Sequence, residues 1–383
     1  MRLPGPETLK ELVAWQPAGG VLSLYVNVDP GDRGRGWRVA LVDGLRDAIG
    51  DERALPHEER LGMRATAERA LRRFPEQGPP PEGRGHVGFI EVASEPRREL
   101  WYPSRLPPRV TEVTYGHRPY LRPLIEIADT GARIGVAAVS GDQVRLWEWE
   151  MGALAELEDL TLTTTGDWRE RKAQRPSDPA RFHGAGASGR EQHDQRLEAH
   201  RERFLKDAGR RTATIAGDHR WRDLLAFGEN DPVRRFADAL DKHEPRHVHQ
   251  KNVVSEPSSR IAERVWALIP ELSRERELKL VHSVKESAYS GKARGSLGPQ
   301  ETLEALSQGR VEHLLFDADR DYQGEGIEQG LAYEGPPLGD GGLPVAELMI
   351  ERALETGARI TPLDGEAAAA LQEHDGVAAL LRY

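Results

Sequence analysis

The 383 residues exceed what a single hydrophobic core usually supports, so the length predicts two or three domains. Asp and Glu number 63 against 53 Lys and Arg, and the net charge of -10 argues against a surface that is basic throughout, although it leaves room for a local basic patch. The absence of cysteine excludes disulfides, thiolate metal ligands and a cysteine nucleophile.

The first predicted elements belong to an N-terminal α/β unit that extends to about residue 128. Val21 to Val28 alternates apolar and polar residues and predicts a strand, and WRVALVDGLRDAI predicts the helix that follows. A charged helix ends near Phe74. After a loop rich in proline and glycine, the segment from His86 to Val92 predicts a second strand.

A second unit, residues 129–245, is predicted to open with a β-hairpin. IGVAAV and VRLWEWE flank the polar turn from Ser140 to Gln143. Trp147 and Trp149 share one face of the second strand, and this favours packing against a core over base stacking. A polar stretch at 163–189 then precedes a long amphipathic helix, the strand DLLAFGEN and the helix DPVRRFADAL.

The third unit, residues 246–383, is also predicted to be α/β. It begins with the strand HVHQKNVV and two helical stretches, followed by a helix that stops at Gly309 before an apolar strand. A glycine-rich and acidic insertion occupies 317–343. The last segment, VAELMIERALETGARITPLDG, predicts a helix, a glycine stop and a strand.

One segment of the second unit carries a resemblance to a known family. RFHGAGASGREQHDQRLEAHRERFLKDAG resembles the catalytic-loop segment of archaeal and eukaryotic class I release factors, in which a His-Gly-x-Gly-Gly-Gln loop leads into a long charged helix. The related Pelota proteins keep the three-domain form but lack the Gly-Gly-Gln motif. The hairpin before it, the strand after it and the last helix and strand of the chain agree with the family's order. The resemblance covers about two thirds of the chain and points to the bacterial branch, which includes Balon-type hibernation factors.

The resemblance implies a site, with one departure at its centre. His183 and Gly184 fall in register, and Gly186, Ala187 and Ser188 stand where Gly-Gly-Gln is expected, so the glutamine is missing. In the family this loop enters the peptidyl transferase centre and positions a water against the peptidyl-tRNA ester. The candidate catalytic residues are therefore Gly186, Ala187, Ser188 and Gln192, and binding without hydrolysis is the use that we favour.

Basic side chains near this segment suggest contacts with RNA phosphate. The candidates are Arg169, Arg171, Lys172, Arg175, Arg181, His183 and Arg190, together with Arg33, Arg35 and Arg38 on the glycine-rich segment GDRGRGW. The alternative is a solvated loop and a plain turn. The helix adds Arg196, Arg201, Arg203, Lys206, Arg210 and Arg211, but interleaved acids are typical of an ordinary exposed helix.

The resemblance implies an RNase H-like middle domain and a C-terminal domain of the kink-turn-binding ribosomal protein fold. It implies a factor that binds the ribosomal A site, its ribosomal RNA and peptidyl-tRNA, with elongation factor Tu or another translational GTPase as partner, in rescue or hibernation. We expect a cytoplasmic protein without membrane span, cofactor or metal; His183, His193 and His200 lack the spacing of a metal site.

Two enzymatic alternatives stay open. One is an active peptidyl-tRNA hydrolase that uses Ser188 or Gln192 in place of the usual glutamine. The other is a ribosome-independent, metal-dependent nuclease built on Glu148 and Glu150, which share a face of the hairpin strand.

Overall fold

The computed structural model describes residues 6–28, 35–50, 57–76, 82–93, 95, 98–163, 186–240, 244–290, 294–320 and 345–383. They form two compact units, one made of Met1–Gly131 with Leu268–Tyr383 and the other of Ala132–Ala267. Helices and sheets occur in both units, so the expected mixed α/β class is confirmed. Within the described ranges, no helix is both long and apolar enough to cross a bilayer.

The first unit opens with an antiparallel sheet of order β3-β2-β1-β4. Its elements are α1 (Pro6–Val13), β1 (Val21–Asn27), α2 (Gly36–Ile49), α3 (His57–Arg73), β2 (Gly85–Glu91), β3 (Glu99–Ser104), β4 (Glu112–Gly116) and α4 (Arg122–Thr130). Leu22 and Leu24 of β1 lie in one buried cluster with Leu41 of α2 and Met63 of α3. The two helices therefore cover one face of this sheet.

The C-terminal part of the first unit contains a mixed sheet of order β10-β13-β11-β12. Its elements are the later part of α7 (Ser258–Tyr289), β10 (Gly295–Leu297), α8 (Pro299–Ser307), β11 (Val311–Asp317), α9 (Val345–Thr356), β12 (Arg359–Leu363), α10 (Gly365–Ala369) and β13 (Val377–Leu381). Val281 and Val284 of α7 pack in one cluster with Leu315 and Leu363. β11 runs parallel to β12 and antiparallel to β13.

The second unit is built on a five-stranded sheet of order β7-β6-β5-β8-β9. Its elements are β5 (Ile134–Val139), β6 (Gln143–Glu150), β7 (Ala153–Thr161), α5 (Gly186–His219), β8 (Asp223–Gly228), α6 (Asn230–Ala237) and β9 (Arg246–His249), and α7 begins here. β5, β8 and β9 are parallel, and β6 is antiparallel to both of its neighbours. The predicted hairpin is confirmed.

The two tryptophans of β6 lie in the core, as predicted. Trp147 and Trp149 are fully buried. The Trp147 indole donates a hydrogen bond of 3.1 Å to the Ser258 hydroxyl, and Trp149 packs edge-to-face on Trp266 with ring centroids 6.1 Å apart. The start of α7 therefore covers one face of the sheet, while α5 and α6 cover the other.

Several sequence-based expectations need correction. The strand Arg246–His249 pairs with β8, so it belongs to the second unit and not to the C-terminal segment. The two helical stretches predicted after it form the single helix α7, with Pro270 inside it. Strands β3, β4 and β7 had not been predicted. Most of the polar stretch at 163–189 and of the insertion at 317–343 lies outside the described residues.

Candidate functional site

The C-terminal half of α5 is anchored on the sheet of the second unit. Leu205, Ala208 and Ile215 are buried in one cluster with residues of β5, β6, β8 and α6. At Gly209 an added Cβ would lie 2.4 Å from the Phe236 carbonyl oxygen, so α5 and α6 approach closely there. This half of the helix is fixed by apolar packing.

The N-terminal half of α5 has no such anchor. Between positions 194 and 203 no residue is buried, and only Leu197 and Arg201 are partly covered. The Arg201 side chain lies 3.5 Å from where a Cβ of Gly141 would stand, beside the turn that follows β5. Because β5, β7 and β8 end on this side, the residues before Arg201 project beyond the carboxyl edge of the sheet. We call residues 186–203 the arm.

The reach of the arm follows from helix geometry. Fifteen helical residues precede Arg201, and at 1.5 Å per residue they extend about 22 Å. The chain enters the arm from residues 164–185, which lie outside the described ranges. The topology therefore displays the start of α5 at a distance from the core of its own unit.

The residues predicted as catalytic lie at the start of this arm. Gly186, Ala187 and Ser188 form the first turn of α5, and Gln192 lies one turn beyond Ser188. Their backbone is helical, whereas the sequence predicted a loop extending to residue 189. Among the described residues the helix thus brings these four positions together within two turns, at the end of α5 farthest from its buried half.

The other end of α5 is fixed by a polar cluster. Oε2 of Glu148 accepts a hydrogen bond from the Trp221 indole at 2.8 Å and lies 2.7 Å from Nδ1 of His219, the last residue of α5. Glu150 pairs with Arg133 at 2.9 Å. Glu148 therefore holds the base of α5 and Glu150 pairs with Arg133, so the two glutamates do not form an open carboxylate pair.

This arrangement does not support the nuclease hypothesis. A two-metal or one-metal nuclease needs carboxylates that converge on an ion. Glu148 and Glu150 instead contact the separate partners described above. Within the part of the chain that the structure describes, no group of three or more His, Asp or Glu residues is arranged to hold a metal ion.

Two of the predicted RNA-binding arginines serve the fold of the first unit. Arg35 has a left-handed backbone before α2, and its Nη1 donates to the carbonyl oxygens of Pro75 and Glu76 at 3.1 and 2.5 Å. Nε of Arg38 donates to the Phe74 carbonyl at 3.1 Å. Both guanidinium groups therefore tie the start of α2 to the segment that follows α3.

The remaining predicted RNA-binding positions lie at the start of α5 or outside the described residues. Arg190 lies in the second turn of α5. Outside the described residues are Arg33, Arg169, Arg171, Lys172, Arg175, Arg181 and His183.

The cations of α5 fall into two groups, those that pair with a described carboxylate and those that do not, and the sequence-based prediction treated them alike. Lys206 pairs with Glu202 at 2.8 Å, Arg210 with Asp207 at 2.9 Å and Arg211 with Glu158 at 2.5 Å. Arg196 and Arg203 are exposed and form no ion pair with any described residue. A sequence signal exists, because Arg196 has no acid three or four positions away on either side.

The sequence-based prediction did not identify the buried carboxylates of the first unit. Glu347 of α9 is fully buried, and its two oxygens accept hydrogen bonds of 2.9 Å from the backbone N–H groups of Leu121 and Arg122, where α4 begins. Burial raises the pKa of Glu347 to about 7, although those two bonds act to lower it. One turn further, Glu351 pairs with Arg118, and burial raises the pKa of Glu351 as well.

A third buried carboxylate, Glu277 of α7, lies near α10. It accepts a hydrogen bond of 3.3 Å from the backbone N–H of Asp364, and burial raises its pKa to about 7. Nearby, Asp129 pairs with Arg276 at 2.7 Å. The Asp129–Arg276 pair joins the two chain segments of the first unit. Charged residues in helices gave no sequence signal of burial.

Comparison with known proteins links this geometry to a family. Residues 119–268 match the bacterial archaeo-eukaryotic release factor family 10, a range that contains α4 and the whole second unit. No curated protein matches the chain.

Solved structures with low sequence identity to the chain include an archaeal termination factor and Pelota proteins. An archaeal translation termination factor, aRF1, is 19% identical over 98% of this chain and 96% of its own, with a TM-score of 0.26. Pelota from Archaeoglobus fulgidus is 16% identical over 78% and 79%, with a TM-score of 0.31. An archaeal Pelota from a complex described as ribosome-bound Pelota and ABCE1 is 12% identical over 100% and 95%, with a TM-score of 0.40. The match therefore relates residues 119–268, and not the whole chain, to the bacterial archaeo-eukaryotic release factors.

Proposed function

We propose that this chain is a ribosome-associated translation factor of the release-factor and Pelota type, which binds the ribosomal A site. One observation carries the proposal: the family match covers the unit that projects the arm, and the arm begins with the residues that the resemblance sets against the Gly-Gly-Gln motif. A helix that extends about 22 Å beyond its anchor is suited to reach into a site that the body of the protein does not enter.

The domain organisation that we propose follows the family. The three domains are residues 1–128, a middle domain and a C-terminal domain, with the second boundary moved beyond β9. An RNase H-like middle domain is supported by the order β7-β6-β5-β8-β9, in which β6 alone runs against the other strands. The mixed sheet of the C-terminal segment, with helices packed on it, is compatible with the kink-turn-binding ribosomal protein fold.

The mechanism that we favour is occupation without hydrolysis, in ribosome rescue or hibernation. Gly186, Ala187 and Ser188 provide no glutamine amide, and their backbone is helical. Gln192, the alternative amide, lies beyond the first turn, where the backbone N–H bonds within the helix and is less available to position a water than that of an open glycine loop. Ribosomal RNA and peptidyl-tRNA would be the contacts, and a translational GTPase such as elongation factor Tu would be the delivery partner.

The first test is sedimentation with bacterial 70S ribosomes through sucrose at two salt concentrations. We expect the wild-type chain to co-sediment and salt to weaken binding. The matched variant lacks residues 164–189 and should bind more weakly while keeping the buried half of α5. Circular dichroism on both chains verifies that the variant folds. Failure of the wild type to bind at low salt would overturn the proposal.

The alternative, peptide release, keeps a specific observation in its favour. Ser188 and Gln192 both lie within the first two turns of α5, where the resemblance places the catalytic motif. Labelled peptide should then leave stalled ribosomal complexes at a rate that falls when Ser188→Ala or Gln192→Ala is introduced. Occupation without hydrolysis predicts binding to the same complexes with no release above background.

A further inference from the structure

The exposed face of the arm carries cations that form no ion pair with the described residues of the protein. Arg196, His200 and Arg203 are all exposed. They occupy positions i, i+4 and i+7 of α5, which lie on one face of a helix. The two arginines are seven residues apart, about 10 Å along the axis, so their guanidinium groups can reach neighbouring charges on a single partner.

The neighbouring positions explain why this face stays positive. Arg196 has glutamine, histidine, alanine and histidine at the four positions where a helical ion pair could form. Arg203 has one acid in reach of that kind, Asp207, and Asp207 pairs with Arg210 at 2.9 Å. Glu198 and Glu202 lie on other sides of the helix and pair with Arg235 and Lys206.

We propose that Arg196, His200 and Arg203 form a phosphate-binding stripe, through which the arm grips the backbone of a structured RNA. Guanidinium groups that pair with no described carboxylate are suited to forked bonds with phosphate oxygens, and His200 supplies an N–H donor between them. The stripe continues a basic approach, since residues 164–190 contain six basic and three acidic residues in a chain of net charge -10. The ribosomal identity of that RNA rests on the proposed function.

The stripe is distinct from the other cations of the helix. Lys206 and Arg210 are also partly exposed, but each keeps its carboxylate partner within 3 Å. Bringing phosphate to them would require breaking an existing pair, so they should gain little from RNA. The double variant Lys206→Gln with Arg210→Gln therefore removes the same charge as Arg196→Gln with Arg203→Gln and serves as the matched control.

The test measures binding of full-length chains to 70S ribosomes over a salt series. At about 0.1 M salt the stripe variant should bind about tenfold more weakly than wild type, and the slope of log affinity against log salt should fall by about 1.5. The control should stay within about twofold of wild type. Equal losses in the two variants, or no loss in the stripe variant, would overturn the stripe.

A second measurement distinguishes RNA from protein as the partner. A photocrosslinking residue at position 200 should join the bound chain to ribosomal RNA, shown by sensitivity of the product to ribonuclease. A crosslink only to ribosomal protein would overturn the assignment of RNA. Absence of binding by the wild-type chain would overturn both the stripe and the proposed function, whereas binding without an effect of the stripe variant overturns the stripe alone.

Discussion

Each of the two units is stabilised internally by a different kind of interaction. In the second unit the sheet is closed by apolar packing, with Leu205 and Phe236 on one face and Trp147 on the other, all fully buried or nearly so. In the first unit the two chain segments meet through buried ionisable groups, including Glu347 at the start of α4 and Glu351 with Arg118. The difference teaches that each unit should respond to a different perturbation, namely loss of volume or change of pH.

The largest effect is expected from truncating the apolar anchor of α5. Leu205→Ala removes a side chain that is 1% exposed, and the cavity left should lower the free energy of unfolding of the second unit by about 2–5 kcal/mol. Urea unfolding, followed by hydrogen exchange in peptides from residues 132–267, measures this. The matched control is Leu197→Ala in the arm, which deletes the same atoms from the same helix.

Leu197 is only partly covered and lies outside the buried cluster, so its truncation should cost less than about 1 kcal/mol. Equal losses from Leu197→Ala and Leu205→Ala would contradict the division of α5 into an anchored half and a projecting arm.

A pH effect of intermediate size should appear in the first unit. The pKa of Glu347 is about 7 in the folded chain, against 4.5 for an ordinary glutamate. Between these values the unfolded chain ionises while folded Glu347 keeps its proton, so the stability that this group contributes is complete below pH 4.5 and is lost as the pH rises to about 7. The loss is about 1.4 kcal/mol per pH unit within that window, and Glu277 adds to it in the same direction.

Glu347→Gln provides the control for this pH dependence. The amide cannot ionise, and it accepts from only one of the two N–H groups that Glu347 bonds, so the variant should be less stable at low pH. Its loss of stability between pH 4.5 and 7 should be smaller than that of wild type, as followed by hydrogen exchange in peptides from residues 98–131. A slope that Glu347→Gln leaves unchanged would show that other groups cause the pH dependence.

Elements that carry a distinctive local sequence pattern were predicted correctly. Alternation in IGVAAV and VRLWEWE predicted β5 and β6, and a glycine stop predicted the end of α9. The sheet position of Arg246–His249 was not predicted, because its parallel pairing with β8 forms across the intervening helix α6 and leaves no local pattern in the sequence. β7 was missed because it is an edge strand in which no residue is fully buried and which carries acids such as Glu156 and Glu158.

The candidate site was predicted in the same uneven way. The sequence placed Gly186, Ala187, Ser188 and Gln192 in one segment, but their helical backbone depends on α5 continuing upstream of its anchor. Arg196 and Arg203 could be separated from the other cations only through their neighbours along the helix. Burial of Glu347 gave no signal, because a glutamate at a helix position is usually exposed and only tertiary contacts reveal otherwise.

The smallest effect that we predict concerns the polar contacts of Glu148 in the second unit, whose packing is otherwise apolar. Glu148→Ala removes the acceptor of the Trp221 indole, which is buried, and should lower stability by about 1–3 kcal/mol because that donor loses its partner. Glu150→Ala, two residues along the same strand, breaks only the exposed pair with Arg133 and should cost less than about 1 kcal/mol. Faster hydrogen exchange at residues 215–222 in Glu148→Ala alone would assign the difference to the base of α5. If both substitutions cost the same, Glu148 does not fix the base of the helix that carries the arm.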